Sequence, residues 1–164
     1  LPASHLSSGR TIFIDSDDDS LAIASQCGIY YTVRADEAME ENICRITGGR
    51  LAKDSVYCSG SDLSPSLPFT YTATDGTVIY TGFDFPDVSV AVKPALEKRL
   101  TVTAVTNDYS NNATAINRIV NKAVNLAPFC KDVRPVADIA KLFDQAAAKK
   151  DAGKHVPYTI VNMI

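Results

Sequence analysis

Two histidines and one lysine are the side chains of this sequence that could share acid–base catalysis. His5 and His155 lie near opposite ends of the chain, and Lys53 lies between them. Two histidines can act as general acid and general base in the cleavage of an RNA phosphodiester, with a lysine beside them. These three residues therefore define one candidate catalytic set, that of a hydrolase such as a ribonuclease.

An acidic run after the first predicted strand, residues 10–14, offers a second candidate site. Its aspartates alternate like the first ligands of a calcium loop: Asp15, Asp17 and Asp19. An EF-hand loop needs Gly at its sixth position and Glu at its twelfth, where this chain has Ser20 and Gln26. We therefore favour a helix cap, in which Ser16 or Asp17 accepts backbone hydrogen bonds, and we predict no metal site.

The same run resembles motifs of two enzyme families. A strand followed by D-x-D is similar to the phosphatase motif of the haloacid dehalogenase family, in which Asp15 would be the nucleophile and Asp17 the acid. The opening of the nucleoside hydrolases is also similar. Both families have far longer chains, and the phosphatase motif has Thr or Val where this sequence has Asp19. Neither function is predicted.

Four dispersed cysteines without a C-x-x-C pair indicate disulfides rather than a zinc site. The four are Cys27, Cys44, Cys58 and Cys130. Cys27 and Cys58 open and close one predicted strand–helix–strand unit. Two disulfides are expected, with Cys27–Cys58 and Cys44–Cys130 favoured over Cys27–Cys130 and Cys44–Cys58.

The helix of that unit is well marked in the sequence. An apolar stripe recurs at helical spacing: Ala35, Met39, Ile43 and Ile46. Asp36 can cap the helix, and Gly48 can end it in the left-handed conformation. Residues 29–33 and 55–58 are the flanking strands.

Later segments predict further strands and two more helices. Residues 69–72 and 77–81 flank Asp75-Gly76 as a hairpin, and strands are expected at 88–92, 100–105 and 158–164. The strongest helical periodicity runs over residues 113–127 and places Ile119 and Val120 in the core and Lys122 in solvent. A second helix begins near Pro135.

The order of these elements predicts an α+β fold. An antiparallel or mixed sheet is expected, with helices packed mainly on one face and two disulfides. The 164 residues suit a single domain covering the whole chain, 1–164.

The composition limits the classes of binding partner that are expected. The net charge of −3 and the pI of about 5.3 give no fold-wide attraction to nucleic acid. No apolar run is long enough to span a membrane. Nucleotide-binding glycine patterns and other enzyme motifs are absent, so no cofactor is predicted.

Several features indicate secretion. The chain begins Leu1-Pro2 as if a leader had been removed, and Asn112-Ala113-Thr114 is a glycosylation acceptor. Lys98-Arg99 is a candidate site for cleavage after Arg99 by a dibasic protease. An extracellular location is therefore expected.

The general design resembles small secreted fungal proteins, namely plant-directed effectors and killer toxins. That resemblance rests on the two predicted disulfides, the processed-looking start, the acidic pI and Lys98-Arg99. It implies a non-enzymatic protein that binds a protein target of a host or competing organism. The alternatives are the hydrolase using His5, Lys53 and His155, and a carbohydrate- or wall-binding module that uses some of the seven tyrosines.

Overall fold

A computed structural model of the chain describes residues 10–58, 63–82, 87–105, 111–123, 125–129, 132–151 and 160–162. Strands and helices alternate along most of it. The strands are β1 (Ile12–Asp15), β2 (Tyr31–Arg34), β3 (Ala52–Cys58), β4 (Thr72–Thr81), β5 (Thr101–Val105), β6 (Val133–Pro135) and β7 (Ile160–Asn162). The helices are α1 (Asp18–Gln26), α2 (Met39–Thr47), α3 (Pro68–Tyr71), α4 (Val92–Glu97), α5 (Asn112–Val120) and α6 (Ile139–Asp151).

Every strand pair that the structure describes is parallel. β1 pairs with β2, β4 lies between β3 and β5, and β6 pairs with β7. The predicted antiparallel or mixed sheet is therefore wrong. The connections explain the difference: α1 joins β1 to β2, α3 joins β3 to β4, and α4 joins β4 to β5. A helical crossover returns the chain to the same end of the sheet, which makes consecutive strands parallel.

The predicted hairpin at Asp75-Gly76 is one continuous strand. Both residues lie inside β4, where the pairing with β3 shifts register between Ala52 and Asp54. Asp75 takes a left-handed conformation with φ of 58°. A Cβ on Gly76 would lie 2.6 Å from the backbone oxygen of Lys53. The Asp-Gly pair thus forms an irregularity inside a parallel pair, where the backbones approach too closely for a side chain.

The first core cluster joins α2 to the sheet of β1 and β2. Val33, Met39 and Ile43 are buried, and the surrounding apolar side chains include Ile12, Ile14, Ala35, Ile46, Leu67 and Tyr71. All four residues of the predicted stripe belong to this cluster. Gly48 ends α2 in the left-handed conformation, as expected, with φ of 62°. Ala38 is the N-cap, and Asp36 instead accepts a hydrogen bond from the Ala38 backbone N–H.

The second core cluster lies under β4. Phe69, Val78 and Ala95 are buried, and Tyr80, Val90 and Leu100 pack against them. Residues 69–71, predicted as strand, form α3 and supply Phe69 to this cluster. Residues 88–91 form no strand.

A buried polar contact joins β3 to β4 beside the second cluster. The hydroxyls of Ser55 and Thr72 lie 2.7 Å apart, and the Thr72 hydroxyl also lies 2.6 Å from the Pro68 carbonyl oxygen. Two hydroxyls and one carbonyl therefore satisfy one another where water is excluded.

The predicted disulfides are wrong for the three cysteines that the structure describes. Cys27, Cys44 and Cys58 form none, and Cys130 lies outside the described residues. Cys27 is buried at the end of α1, whereas Cys44 is exposed beside the core-facing Ile43 of α2, and Cys58 is exposed at the end of β3. β2 and β3 belong to different sheets, so the two ends of the strand–helix–strand unit do not meet as paired strands.

The helix expected to dominate the core is shorter and more exposed than predicted. α5 ends at Val120, and the exposed fractions of Ile119 and Val120 are 44% and 71%. Ile116 is exposed too, so the apolar stripe exists but faces outward within the described part of the chain. The prediction that Ile119 and Val120 are buried is wrong.

No helix in the described ranges is long and apolar enough to cross a membrane.

Candidate functional site

The carboxyl ends of β1 and β2 bring two charged residues together. Asp15 ends β1 and Arg34 ends β2, and the parallel register pairs them directly. The backbone N–H of Ala35 donates to the carbonyl oxygen of Asp15 at 2.9 Å, which extends the ladder past the last pair. In open parallel sheets, ligands bind outside the carboxyl ends of the strands. This edge is therefore the first place to look for a site.

The Asp15 carboxylate is half-buried and held on one side. Its Oδ1 accepts a hydrogen bond from the backbone N–H of Asp17 at 3.0 Å. Its Oδ2 makes no hydrogen bond to the residues that the structure describes. A carboxylate oxygen carries about two acceptor positions. Asp15 is thus oriented by its own turn while keeping an oxygen for a hydroxyl donor from a ligand.

The next carboxylate caps α1. Asp17 Oδ2 accepts from the Ser20 backbone N–H at 2.8 Å and lies 2.9 Å from the Ser20 hydroxyl. This confirms Asp17 as one of the two expected caps. The cap makes α1 begin directly after β1, so the aspartates occupy a tight turn.

Arg34 reaches across this turn to α1. Its Nη1 donates to Oδ1 of Asp18 in a close ion pair. Asp18 and Asp19 lie in the first turn of α1, where negative charge is favourable. Because Arg34 and Asp18 are both well exposed, the pair contributes little to stability and serves mainly to position the guanidinium.

The acidic turn, residues 15–19, is strongly negative. Four carboxylates stand within five residues, and one described guanidinium, that of Arg34, pairs with them. Within the described ranges, no group of three Asp, Glu, His or Cys side chains could hold a metal ion. The turn is suited to accept hydrogen bonds from hydroxyl groups and to repel anions.

The carboxyl ends of β3, β4 and β5 form the corresponding edge of the second sheet. Cys58, Thr81 and Val105 end β3, β4 and β5 in one row of the parallel register. The segments that follow them, residues 59–62, 83–86 and 106–110, lie outside the described residues. The described part of this edge is apolar or weakly polar and holds no charged side chain at the strand ends.

The residues of the predicted catalytic set are not brought together in the described part of the chain. His5 and His155 lie outside the described residues, and Lys53 is exposed on β3. Asn112, the predicted glycosylation site, is exposed as the first residue of α5. The predictions for these residues remain untested.

Both residues of the predicted dibasic cleavage site make side-chain contacts within the fold. Lys98 donates to two backbone carbonyls of α3 and to that of Thr72 at the start of β4, and Arg99 forms an ion pair with Asp75. Cleavage after Arg99 stays a prediction, but both side chains hold α4 and β5 against the rest of the sheet.

Three of the tyrosines pack internally rather than in a flat exposed row. Tyr57 and Tyr80 donate to the carbonyls of Leu63 and Pro65 at 2.7 and 2.6 Å. Burial raises the pKa of Tyr71 to about 12. This arrangement gives no support to the predicted sugar-binding module.

Sequence reasoning weighed Asp15 as a metal ligand or nucleophile and did not single out Arg34. The available signal was positional: an acidic residue directly at the end of a strand, with a helix and a second strand following. Recognising it required the knowledge that β1 and β2 are parallel.

No protein-family model and no curated protein sequence matches the chain. Solved structures do. Alcohol dehydrogenase TADH of Thermus sp. ATN1 has 15% identity and a TM-score of 0.77, covering 98% of this chain and 46% of its own. An NAD-dependent alcohol dehydrogenase has 14% identity and a TM-score of 0.72, covering 99% and 46%. L-idonate 5-dehydrogenase of Escherichia coli has 17% identity and a TM-score of 0.72, covering 89% and 42%.

The chain shares their fold. It spans a little under half the length of each of these dehydrogenases. The parallel pairing of every described strand and the absence of a disulfide among the described cysteines overturn the predicted resemblance to disulfide-stabilised effectors and killer toxins. The prediction of a non-enzymatic binder of a host or competitor protein falls with that resemblance, and the observed fold gives no support to the ribonuclease and wall-binding alternatives. The extracellular location loses its disulfide argument and stays a prediction.

Proposed function

We propose that the chain forms the nucleotide-binding part of an oxidoreductase that uses NAD, and that Asp15 binds the adenosine ribose. The observation that carries this proposal is the placement of Asp15. Its half-buried carboxylate ends a parallel strand, is oriented through Oδ1, and keeps Oδ2 without a hydrogen bond to the described residues. In dinucleotide-binding folds, an acidic residue near this position accepts hydrogen bonds from the ribose hydroxyls.

The residues at this edge fit the ribose of the cofactor. A ribose diol offers two hydroxyl donors, and the carboxylate of Asp15 offers acceptors with one side already fixed by Asp17. The chain has no G-x-G-x-x-G pattern, so no residue is assigned to the pyrophosphate. NAD supplies hydride transfer when it is bound. The role that we propose for the described residues is to bind and orient the adenosine end of NAD.

Electrostatics favours NAD over its 2′-phosphorylated form. A phosphate on the ribose 2′ oxygen would lie against Asp15 and near the carboxylates of α1. Arg34 is the nearby group that could accept a phosphate, but its guanidinium is already paired with Asp18. Accommodation of a 2′-phosphate would have to break that pair and still overcome repulsion from Asp15.

The similar structures support the proposal in one respect. One of them is an NAD-dependent alcohol dehydrogenase. The parallel order of β1, α1 and β2 provides the same kind of strand end at which such cofactors are held.

Isothermal titration of the full chain with NADH, NADPH and AMP tests the proposal. We expect NADH to bind more tightly than NADPH, and Asp15→Asn to weaken NADH and AMP about tenfold or more, because a charged hydrogen bond is lost. Asp54→Asn is the matched control, since Asp54 is exposed on β3 away from the turn. Equal NADH affinity in wild type and Asp15→Asn would contradict the proposal.

A further inference from the structure

A surface cleft of about 420 Å³ lies at the amino-terminal ends of β1 and β2, opposite to the edge of Asp15. Arg10 precedes β1, and Tyr31 is the first residue of β2. The cleft is lined by Arg10, Tyr30, Tyr31, Thr32, Arg45 and Ile46. Its volume falls within the range of small-molecule sites.

Arg10 is held in this cleft from two sides. Its Nη1 donates to the backbone carbonyl of Ile46 at 2.6 Å, at the carboxyl end of α2. Its Cζ lies 6.0 Å from the centre of the Tyr31 ring, within the range of a cation–π contact. A guanidinium has five N–H donors. Within the described part of the chain, one of these N–H groups donates a hydrogen bond. The Arg10 guanidinium is therefore held in place while its other N–H groups can donate to a ligand in the cleft.

Arg45 adds a second guanidinium. Its Nη2 donates to Oδ1 of Asn42 at 2.8 Å, and its side chain is otherwise exposed. Arg34, Arg99 and Arg134 each pair with an aspartate. Arg10 and Arg45, in contrast, make no ion pair with the described residues. Two arginines that have no carboxylate partner within the described ranges therefore share one cleft of an acidic protein.

Two tyrosine rings form the adjoining wall. The rings of Tyr30 and Tyr31 meet edge to face, with centroids 4.8 Å apart and an interplanar angle of 85°. Tyr30 is 85% exposed although it is held against its neighbour. A large exposed aromatic side chain beside a cleft is typical of a binding surface, because its ring offers a flat apolar face at small entropic cost.

We infer that this cleft binds a small organic anion that carries a flat ring. The oxyanion, a phosphate or a carboxylate, would contact the guanidinium groups of Arg10 and Arg45, which suit such groups bidentately. The ring would lie against Tyr30. Among the residues that the structure describes, no acidic side chain lines the cleft to oppose the anion.

This site is separate from the proposed cofactor edge. β1 has four residues, so its two ends are about 10 Å apart at the usual rise of a strand. The sign of the charge differs as well: the carboxyl edge is acidic and the amino edge is basic. A second ligand can therefore bind here without displacing a nucleotide from Asp15.

Titration with phenyl phosphate tests the inference on the full chain. The chain has no tryptophan, so quenching of tyrosine fluorescence can be followed beside calorimetry. We expect dissociation in the millimolar range or tighter, a loss of about tenfold in Arg45→Gln, and a loss of several-fold in Tyr30→Ala. Benzoate, with a carboxylate on the same ring, distinguishes the two kinds of oxyanion.

Arg50→Gln is the matched control, because Arg50 carries the same charge close to α2 but does not line the cleft. Its phenyl phosphate affinity should equal that of wild type. Equal losses in Arg45→Gln and Arg50→Gln, or no binding at about 10 mM of either probe, would overturn the inference. Arg45→Gln should leave NADH binding unchanged, so this inference and the proposed cofactor site can fail independently.

Discussion

Arg99 holds Asp75 through two parallel hydrogen bonds. Nε donates to Oδ1 at 2.8 Å, and Nη2 donates to Oδ2 at 2.7 Å. The backbone N–H of Asp75 also donates to the carbonyl of Lys98 at 2.8 Å. These contacts join the irregular segment of β4 to the turn between α4 and β5. They hold the non-glycine residue at position 75 in its left-handed conformation.

The stability contributed by Asp75 should be lost in acid. Hydrogen bonds from Arg99 hold the pKa of the Asp75 carboxyl below its ordinary value. The folded protein therefore binds this proton less tightly than the unfolded chain. The contribution is present above the unfolded pKa and disappears as pH falls through the folded pKa. We expect the urea midpoint of wild type to exceed that of Asp75→Asn at neutral pH, and the two to converge in strong acid.

Asparagine is the right replacement because it tolerates the left-handed conformation. Asp54→Asn serves as the control, since Asp54 is exposed and makes no ion pair with the described residues. The effect is small because the Asp75–Arg99 pair is exposed. A difference between wild type and Asp75→Asn that stayed constant at every pH would contradict the explanation.

Lys98 should stabilise the fold through three backbone carbonyls. Its Nζ donates to the carbonyl oxygens of Phe69, Thr70 and Thr72 at 2.8, 2.6 and 2.9 Å. Phe69 and Thr70 belong to α3, at whose end backbone acceptors lack helical partners, and Thr72 is the first residue of β4. Lys98→Met keeps the apolar stem and removes the donor. We expect a loss of about 1–3 kcal/mol in the free energy of unfolding, measured with urea.

Lys93→Met is the comparison for Lys98→Met. Lys93 lies on α4, whose C-cap is Lys98, and its ammonium makes a 3.7 Å contact with Glu97 on an exposed surface. Such a pair contributes at most about 0.5 kcal/mol. If Lys93→Met and Lys98→Met shifted the urea midpoint equally, the three carbonyl contacts would carry no stability.

Local features of the sequence predicted the helices and strands from β1 to β3, but not how the strands pair. The stripe around Met39 and Ile43 predicted both the existence of α2 and its buried face, because helical periodicity is a local property. Gly48 marked the end of that helix for a similar reason. The direction of the strands was not predictable in the same way. Asp75-Gly76 is typical of a hairpin, and only the packing of α3 and α4 between successive strands makes β4 continuous and parallel.

In the candidate site, too, local features were predictable and features that depend on strand pairing were not. Asp17 was predicted as a cap from the strand and helix next to it, and the structure confirms it. The role proposed for Asp15 depends on β2 lying parallel beside β1, which is a property of the sheet. The disulfide prediction was also wrong for a non-local reason. Their spacing suggested bridges between the cysteines, yet Cys27 is the C-cap of α1 and Cys58 ends β3, and the strands β2 and β3 lie in different sheets.

Gly76→Ala should be strongly destabilising. A Cβ at this position would lie 2.6 Å from the Lys53 oxygen, 2.6 Å from Thr72 Cγ2 and 2.8 Å from the Ala73 oxygen. Two of these neighbours are backbone atoms, so relief requires β3 and β4 to separate. We expect a cost of about 3 kcal/mol or more, from overpacking in a buried position, measured by thermal and urea unfolding.

Gly48→Ala separates the steric cost at Gly76 from the general cost of replacing glycine. A Cβ at Gly48 meets nothing within 4 Å, but the residue has φ of 62°. Its replacement should cost about 1 kcal/mol, from backbone conformation alone. A Gly76→Ala variant no less stable than Gly48→Ala would show that β3 and β4 are not this close.

Ile43 should matter far more to stability than Ile119. Ile43 is 1% exposed and belongs to the first core cluster, whereas Ile119 is 44% exposed on α5. Ile43→Ala removes buried methyl groups and leaves a cavity, so we expect a cost of about 2–5 kcal/mol. Ile119→Ala removes a partly solvated side chain and gains helix propensity, so its cost should stay below about 1 kcal/mol. Urea denaturation of the two variants beside wild type measures the contrast. If Ile119→Ala were as destabilising as Ile43→Ala, the apolar face of α5 would be covered in solution, and its exposure in the structure would be wrong.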